Sequence, residues 1–368
     1  MRKIFLLILF FSSVNCILAQ EACNDALILQ VKGSWKKDPD ANMNAGKNIT
    51  VINNRIDNIS ELFKTAYPDP RGIEAKWYRS MGAYQINKKI TAYSFQSLYL
   101  PWYCNQHLKK MMKSDETGTW VIVSVNSFGD FLTDQYDMLQ IHVHENPVYL
   151  LPKQNGEWKG YPLYQTRAWR ERNYCIIIMH EGQLPWKAIT QEQYLKAIRA
   201  QWEEQKTKLS AGYAINEDNL KKSIADNEKN PNLKEADKEK INASLQKQLE
   251  EIQKEEKENA PKMNKGMDDK IAVIDNYLSK TNSSTLQGPA IMDRNTAGDF
   301  RGTFSTDATK GITLVTVNPD YFDNKLPDYT PQLMVLLWRW DNNAPSMDFK
   351  KQFEENFPVE KLRAMLDK

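Results

Sequence analysis

The spacing of apolar residues divides the chain into three stretches. Before Ile189 and after Thr281 apolar residues alternate with polar ones or cluster in short runs, which is the period of strands. Between Thr190 and Lys280 they recur every three or four residues against a charged background, which is the period of helices. No Phe, Trp or Tyr lies between Tyr213 and Tyr277. The pattern predicts a helical arm inserted into a strand-rich body.

The arm has a clear beginning. Thr190 suits an N-cap and Gln193 the second member of a capping box. Tyr194, Leu195, Ile198, Trp202 and Leu209 follow near one helical face, with Gly212 as the expected stop. A short helix is expected over 217–228, broken by Asn230-Pro231. Ile241, Leu245, Leu249 and Ile252 then form a narrow stripe in a helix expected over 232–259, about 40 Å long. Pro261 should end that helix or open the next, whose seam is Met263, Met267, Ile271, Ile274 and Leu278. Two seams joined by short breaks imply an antiparallel helical hairpin or a small bundle of coiled-coil type, with its tip free to meet a protein partner.

The flanks read as sheet with a few helices. Ile52, Ile56, Ile59 and Phe63 are spaced for an amphipathic helix over 48–66 that stops at Tyr67-Pro68. Strands are expected at 26–31, 120–125, 138–144, 148–151, 158–165, 173–180, 300–305, 312–317 and 332–340, with Asn155-Gly156 as the strongest hairpin signal. Phe349, Phe353 and Phe357 mark a helix capped at Ser346, and Pro358 suits the first turn of another. The resulting fold class is α+β: a mainly antiparallel sheet body packed by N- and C-terminal helices, with the arm inserted. Its divisions are a signal peptide (1–19), a first body segment (20–189), the arm (190–280) and a second body segment completing the body (281–368).

Composition narrows the function. With 49 basic and 47 acidic residues among 368, the net charge of +2 leaves no basic excess for a nucleic-acid surface. Arg2-Lys3, the apolar run 4–11 and Ala19 before Gln20 form a secretion signal too short to span a membrane, and no later segment reaches spanning length. The chain is therefore expected to be exported, periplasmic or secreted, in a bacterial envelope. Lipidation at Cys16 is disfavoured by Asn15 in front of it. Three cysteines remain after the signal, and an oxidising compartment would permit a Cys23–Cys104 bridge. Cys175, in an apolar run, reads as a buried thiol.

Motifs for chemistry are sparse. His142-x-His144-Glu145 on a strand would turn both imidazoles to one face, and His180 or Glu181 would supply a further zinc ligand; this is the metal-dependent hydrolase reading. Half-exposed surface histidines are the plainer account. Trp77, Tyr99, Trp102 and Tyr103 lie in an aromatic-dense region that suits a platform for a glycan or apolar ligand, although such density more often marks a core. Cys104 and His107 would meet only on a helix. No phosphate loop or nucleophile elbow is present. The leading expectation is a non-enzymatic binding protein without a cofactor.

Overall fold

The computed structural model describes residues 25–41, 48–81, 86–132, 138–166, 172–307 and 309–368. The signal segment, Cys16 and Cys23 lie outside the described residues. The elements are β1 (Trp35–Lys37), α1 (Ile49–Ala66), β2 (Ile73–Met81), β3 (Tyr93–Asn105), β4 (Lys110–Lys113), β5 (Trp120–Val125), β6 (Met138–Val143), β7 (Asn146–Leu150), β8 (Gln154–Trp158), β9 (Tyr161–Tyr164) and β10 (Asn173–Ile178). There follow β11 (Trp186–Ala188), α2 (Gln191–Lys229), α3 (Glu235–Lys280), α4 (Ser283–Leu286), β12 (Ile291–Met292), β13 (Ile312–Val317), β14 (Met334–Arg339), α5 (Ala344–Asn356) and α6 (Val359–Arg363). The fold is α+β and its sheets are dominated by antiparallel pairing, with β1 parallel to β2.

The chain forms two compact units. The first takes residues up to Met138, Pro152–Trp186 and Val317–Lys368. Its sheet runs β1-β2-β3-β5-β14-β10-β9-β8, with β4 added to β3. Alternate residues Tyr93, Phe95 and Tyr99, then Val121, Val123 and Val125, then Met334, Leu336 and Trp338, face one core. Ile52, Ile56, Ile59 and Phe63 of α1 join that core with Phe349 and Phe353 of α5, as their spacing requires. Ring packing fixes the layer: Phe63 stacks on Phe95 at 4.8 Å and on Phe353 at 5.6 Å, and Tyr99 on Phe349 at 3.7 Å. Trp186 is buried against Phe131, 5.6 Å between ring centres.

The second unit takes Leu139–Leu151 and Lys187–Thr316. Its sheet runs β11-β13-β7-β6, with β12 on β13. Ile141, Val143, Val148, Leu150 and Leu314 make a core with Tyr194, Leu195 and Ile198 of α2 and Ile274 of α3. The arm therefore belongs with a short strand pair from earlier in the chain, a grouping the expected division by segment did not contain.

The expected capping box is present, with Gln193 N–H donating to Thr190 Oγ1 at 3.1 Å and Thr190 N–H to Gln193 Oε1 at 2.9 Å. The helices are longer than expected, 39 and 46 residues, or about 60 and 70 Å. Gly212 does not end a helix, and Pro261 lies inside α3. A lone glycine costs a helix only about 1 kcal/mol, which pairing across the hairpin offsets. Arg199–Asp275 at 2.8 Å and Lys206–Asp268 at 2.6 Å are two of the cross-links.

Other local expectations change as well. Residues 25–30 form a 3-10 helix rather than a strand. Ile291–Met292, not 300–305, pairs with the start of β13. α5 is capped by the Asn343 side chain, which accepts from Ser346 N–H. Asn155-Gly156 sits within β8, and the hairpin turns at Lys159-Gly160, with φ of 51° and 83°. A two-residue turn needs positive φ at both positions, and Gly160 supplies the second without strain.

Candidate functional site

The histidine motif begins in the second unit. His142 is exposed on β6 between buried Ile141 and Val143, so strand alternation turns it outward. His144 is not on the strand. With Glu145 it forms the turn between β6 and β7, at φ of 49° and 67°, and the alternation that would align the two imidazoles is lost. The nearby carboxylate is Glu204 of α2. It is held below its usual range by a hydrogen bond from Lys208 at 2.7 Å, with a smaller contribution from His142.

His180 belongs to the first unit, at the end of β10. Its Nε2 lies 2.9 and 3.1 Å from the two carboxylate oxygens of Asp367. The ring stacks on Tyr321 at 5.0 Å, and its backbone N–H donates to the Tyr321 hydroxyl at 3.1 Å. That hydroxyl donates in turn to Gln332 O at 2.6 Å, and burial pushes its pKa up. Glu181 is paired with Arg363. Both candidates are thus engaged by the C-terminal stretch, 182 and 187 residues away in sequence. Among the described residues no group of three or more His, Cys, Asp or Glu is gathered as a metal would need.

The four aromatics also separate. Trp77 is 5% exposed and Tyr99 fully buried, both in the core of the first unit. Lys37 and Lys64 ammonium groups lie over the Trp77 ring at 5.6 and 5.1 Å. Neither Trp77 nor Tyr99 has a ring face open to a ligand, so the four do not make one platform. Trp102 and Tyr103 are consecutive on β3 and point to opposite faces. Tyr103 is exposed, whereas Trp102 is partly buried, its Nε1 without a hydrogen-bond partner among the described residues.

Cys104 is disulfide-bonded, while Cys175 is a buried thiol outside any disulfide. Cys23, the expected partner, lies outside the described residues. Cys104 is on β3 and His107 in the turn before β4, so no helix joins them, and a bonded sulfur offers no thiolate for catalysis.

What remains as a candidate surface is the hairpin of α2 and α3. Its base is anchored: Tyr194 donates to Ala297 O at 2.7 Å, and Tyr277 meets Phe300 and Phe304 edge-on at 5.3 and 5.6 Å. Beyond the base the buried positions of α3 reduce to Leu249 and Met267. The half-buried Asn242 and Asn264 each carry a buried carbonyl oxygen without a partner among the described residues. Outside the seam, Ile215 is 59% and Met263 52% exposed. Apolar periodicity does not single out the seam asparagines, although each adjoins an apolar residue of the stripe, Ile241 or Met263. No family model, curated protein or solved structure matches the chain.

Proposed function

We propose that this is an exported bacterial envelope protein that binds a protein partner through the outer part of its helical hairpin. The observation that carries the reading is the disproportion of the arm. Helices of 39 and 46 residues are anchored in a core only near their base, while the distal length is polar and punctuated by exposed Ile215, Ile241 and Met263. Such length exceeds what the small sheet of the second unit needs for cover. The Cys104 disulfide supports export, since such bonds persist in oxidising compartments. Among the described residues no helix is long and apolar enough to cross a membrane.

The test is photocrosslinking in the source cells from 215, 241 and 263, with exposed Leu184 of the first unit as the control position. One adduct shared by the hairpin positions and absent at 184 is expected, competed away by excess unsubstituted protein but not by protein in which residues 212–265 are replaced by a short turn. The shortened protein should keep its fold, as judged by the melting of the first unit. Absence of any hairpin adduct, or equal competition by the shortened protein, refutes the reading.

A further inference from the structure

We propose that Asn155 is a site of spontaneous backbone modification, at which the folded protein converts an asparagine to aspartyl and isoaspartyl forms. Asn155-Gly156 is the one Asn-Gly pair in the sequence. The reaction requires the Gly156 main-chain nitrogen to reach the Asn155 side-chain carbonyl carbon. A regular ladder opposes this by holding the backbone extended, and a side chain on the following residue obstructs it. Neither obstacle is present here.

The strand β8 is the last strand of its sheet. Gln154 pairs with Tyr164 and Glu157 with Pro162, so Asn155 and Gly156 together oppose the single residue Leu163. This is a bulge, in which the extra residue leaves the ladder. Both residues are exposed, Gly156 has φ of 110°, and nothing lies within 4 Å of where its Cβ would be. Among the described residues the Asn155 amide makes one long contact, Nδ2 to Gln165 Oε1 at 3.4 Å. The Gly156 carbonyl is held by Gln154 Nε2 at 3.0 Å, which steadies the bulge without touching the nitrogen that attacks.

The chemistry balances with water as the only co-reactant. The Gly156 N–Asn155 Cγ bond forms and the Cγ–Nδ2 bond breaks; the amide proton leaves with the nitrogen as ammonia. Water then opens the cyclic imide at either carbonyl, giving aspartate or isoaspartate. Each product carries a new carboxylate, and the second adds a methylene to the main chain. A bulge that already accommodates an extra residue absorbs that methylene better than a regular ladder would.

The test holds the intact chain in warm, mildly alkaline buffer. Trypsin then cuts after Lys153 and Lys159, and the released 154–159 peptide is analysed by mass spectrometry and by isoaspartyl methyltransferase labelling. The synthetic peptide of the same residues is the unfolded reference. Conversion at Asn155 in the folded chain, leading all other asparagines and keeping pace with the free peptide, is expected, with complete loss of label from that peptide in Asn155→Gln. An intact Asn155 in the folded chain while the free peptide converts would overturn the proposal, as would label arising first at another asparagine.

Discussion

Glu74 allows the sharpest test of how the first unit is held at its edge. Its side chain is only 8% exposed, yet it accepts from Lys36 of β1 and Lys113 of β4, both at 2.5 Å. Burial by itself would raise its carboxyl pKa; hydrogen bonds from Lys113 and Lys36 outweigh it and hold the group below its ordinary value. A charge-assisted hydrogen bond contributes about 1.5–3 kcal/mol. Lys113 is 29% exposed and takes that range, whereas Lys36, 54% exposed, is discounted to below about 1 kcal/mol for solvent screening. Desolvation of the carboxylate offsets part of the sum, so Glu74→Gln should destabilise by about 2 kcal/mol. Urea denaturation at neutral pH measures it, and double-mutant cycles should give Lys113→Met the larger coupling. A depressed carboxyl pKa stabilises above the unfolded value of 4.5 and ceases to do so as pH falls through the folded value. The gap between wild type and Glu74→Gln must therefore close on acidification. A gap below about 0.5 kcal/mol at neutral pH, or one that does not change in acid, refutes the reasoning.

Three further outcomes are expected. Gly212→Ala, where a Cβ meets nothing within 4 Å, should stabilise α2 by up to about 1 kcal/mol, and Pro261→Ala should stabilise α3 by up to about 3 kcal/mol, both read as slower amide exchange in the arm. Exchange in the wild type should quicken from the base at 194–198 and 271–274 toward the turn at 230–234; uniform protection would contradict the core assigned to the second unit. Tyr194→Phe removes the hydroxyl bonded to Ala297 O inside that core and should cost about 1–3 kcal/mol, measured as a fall in the denaturation midpoint.

Where neighbours in sequence decide the structure, the residues can be read directly. Ile52, Ile56, Ile59 and Phe63 announce α1, and Thr190 with Gln193 fixes the start of α2, because helix period and capping are local. Where two structures share one local chemistry, the reading fails. Asn155-Gly156 and Lys159-Gly160 both permit positive φ, and only the pairing partners decide which is bulge and which is turn. The alternation of Tyr93, Phe95 and Tyr99 spells out β3, but the same density of rings also suits a platform, and only the cover of α1 and α5 makes it core. The pairings of His180 with Asp367 and of Glu74 with Lys36 and Lys113 join residues remote in sequence, and no periodicity encodes them.

The composition of the hairpin seam bears on what the arm is for. A helix pair selected for stability alone would fill its seam with Leu and Ile, since a buried, unsatisfied amide oxygen costs about 1–3 kcal/mol. Asn242 and Asn264, half-buried and each with a carbonyl oxygen that has no partner among the described residues, depart from that, one on each side of Leu249 in α3. In paired helices a polar seam residue favours one register at the expense of stability. Register matters when the outward faces must arrive at fixed positions, and here those faces carry Ile215 and Met263 in a setting of balanced charge. A spacer needs length but no register, whereas a contact surface needs both; the asparagines therefore weigh toward contact.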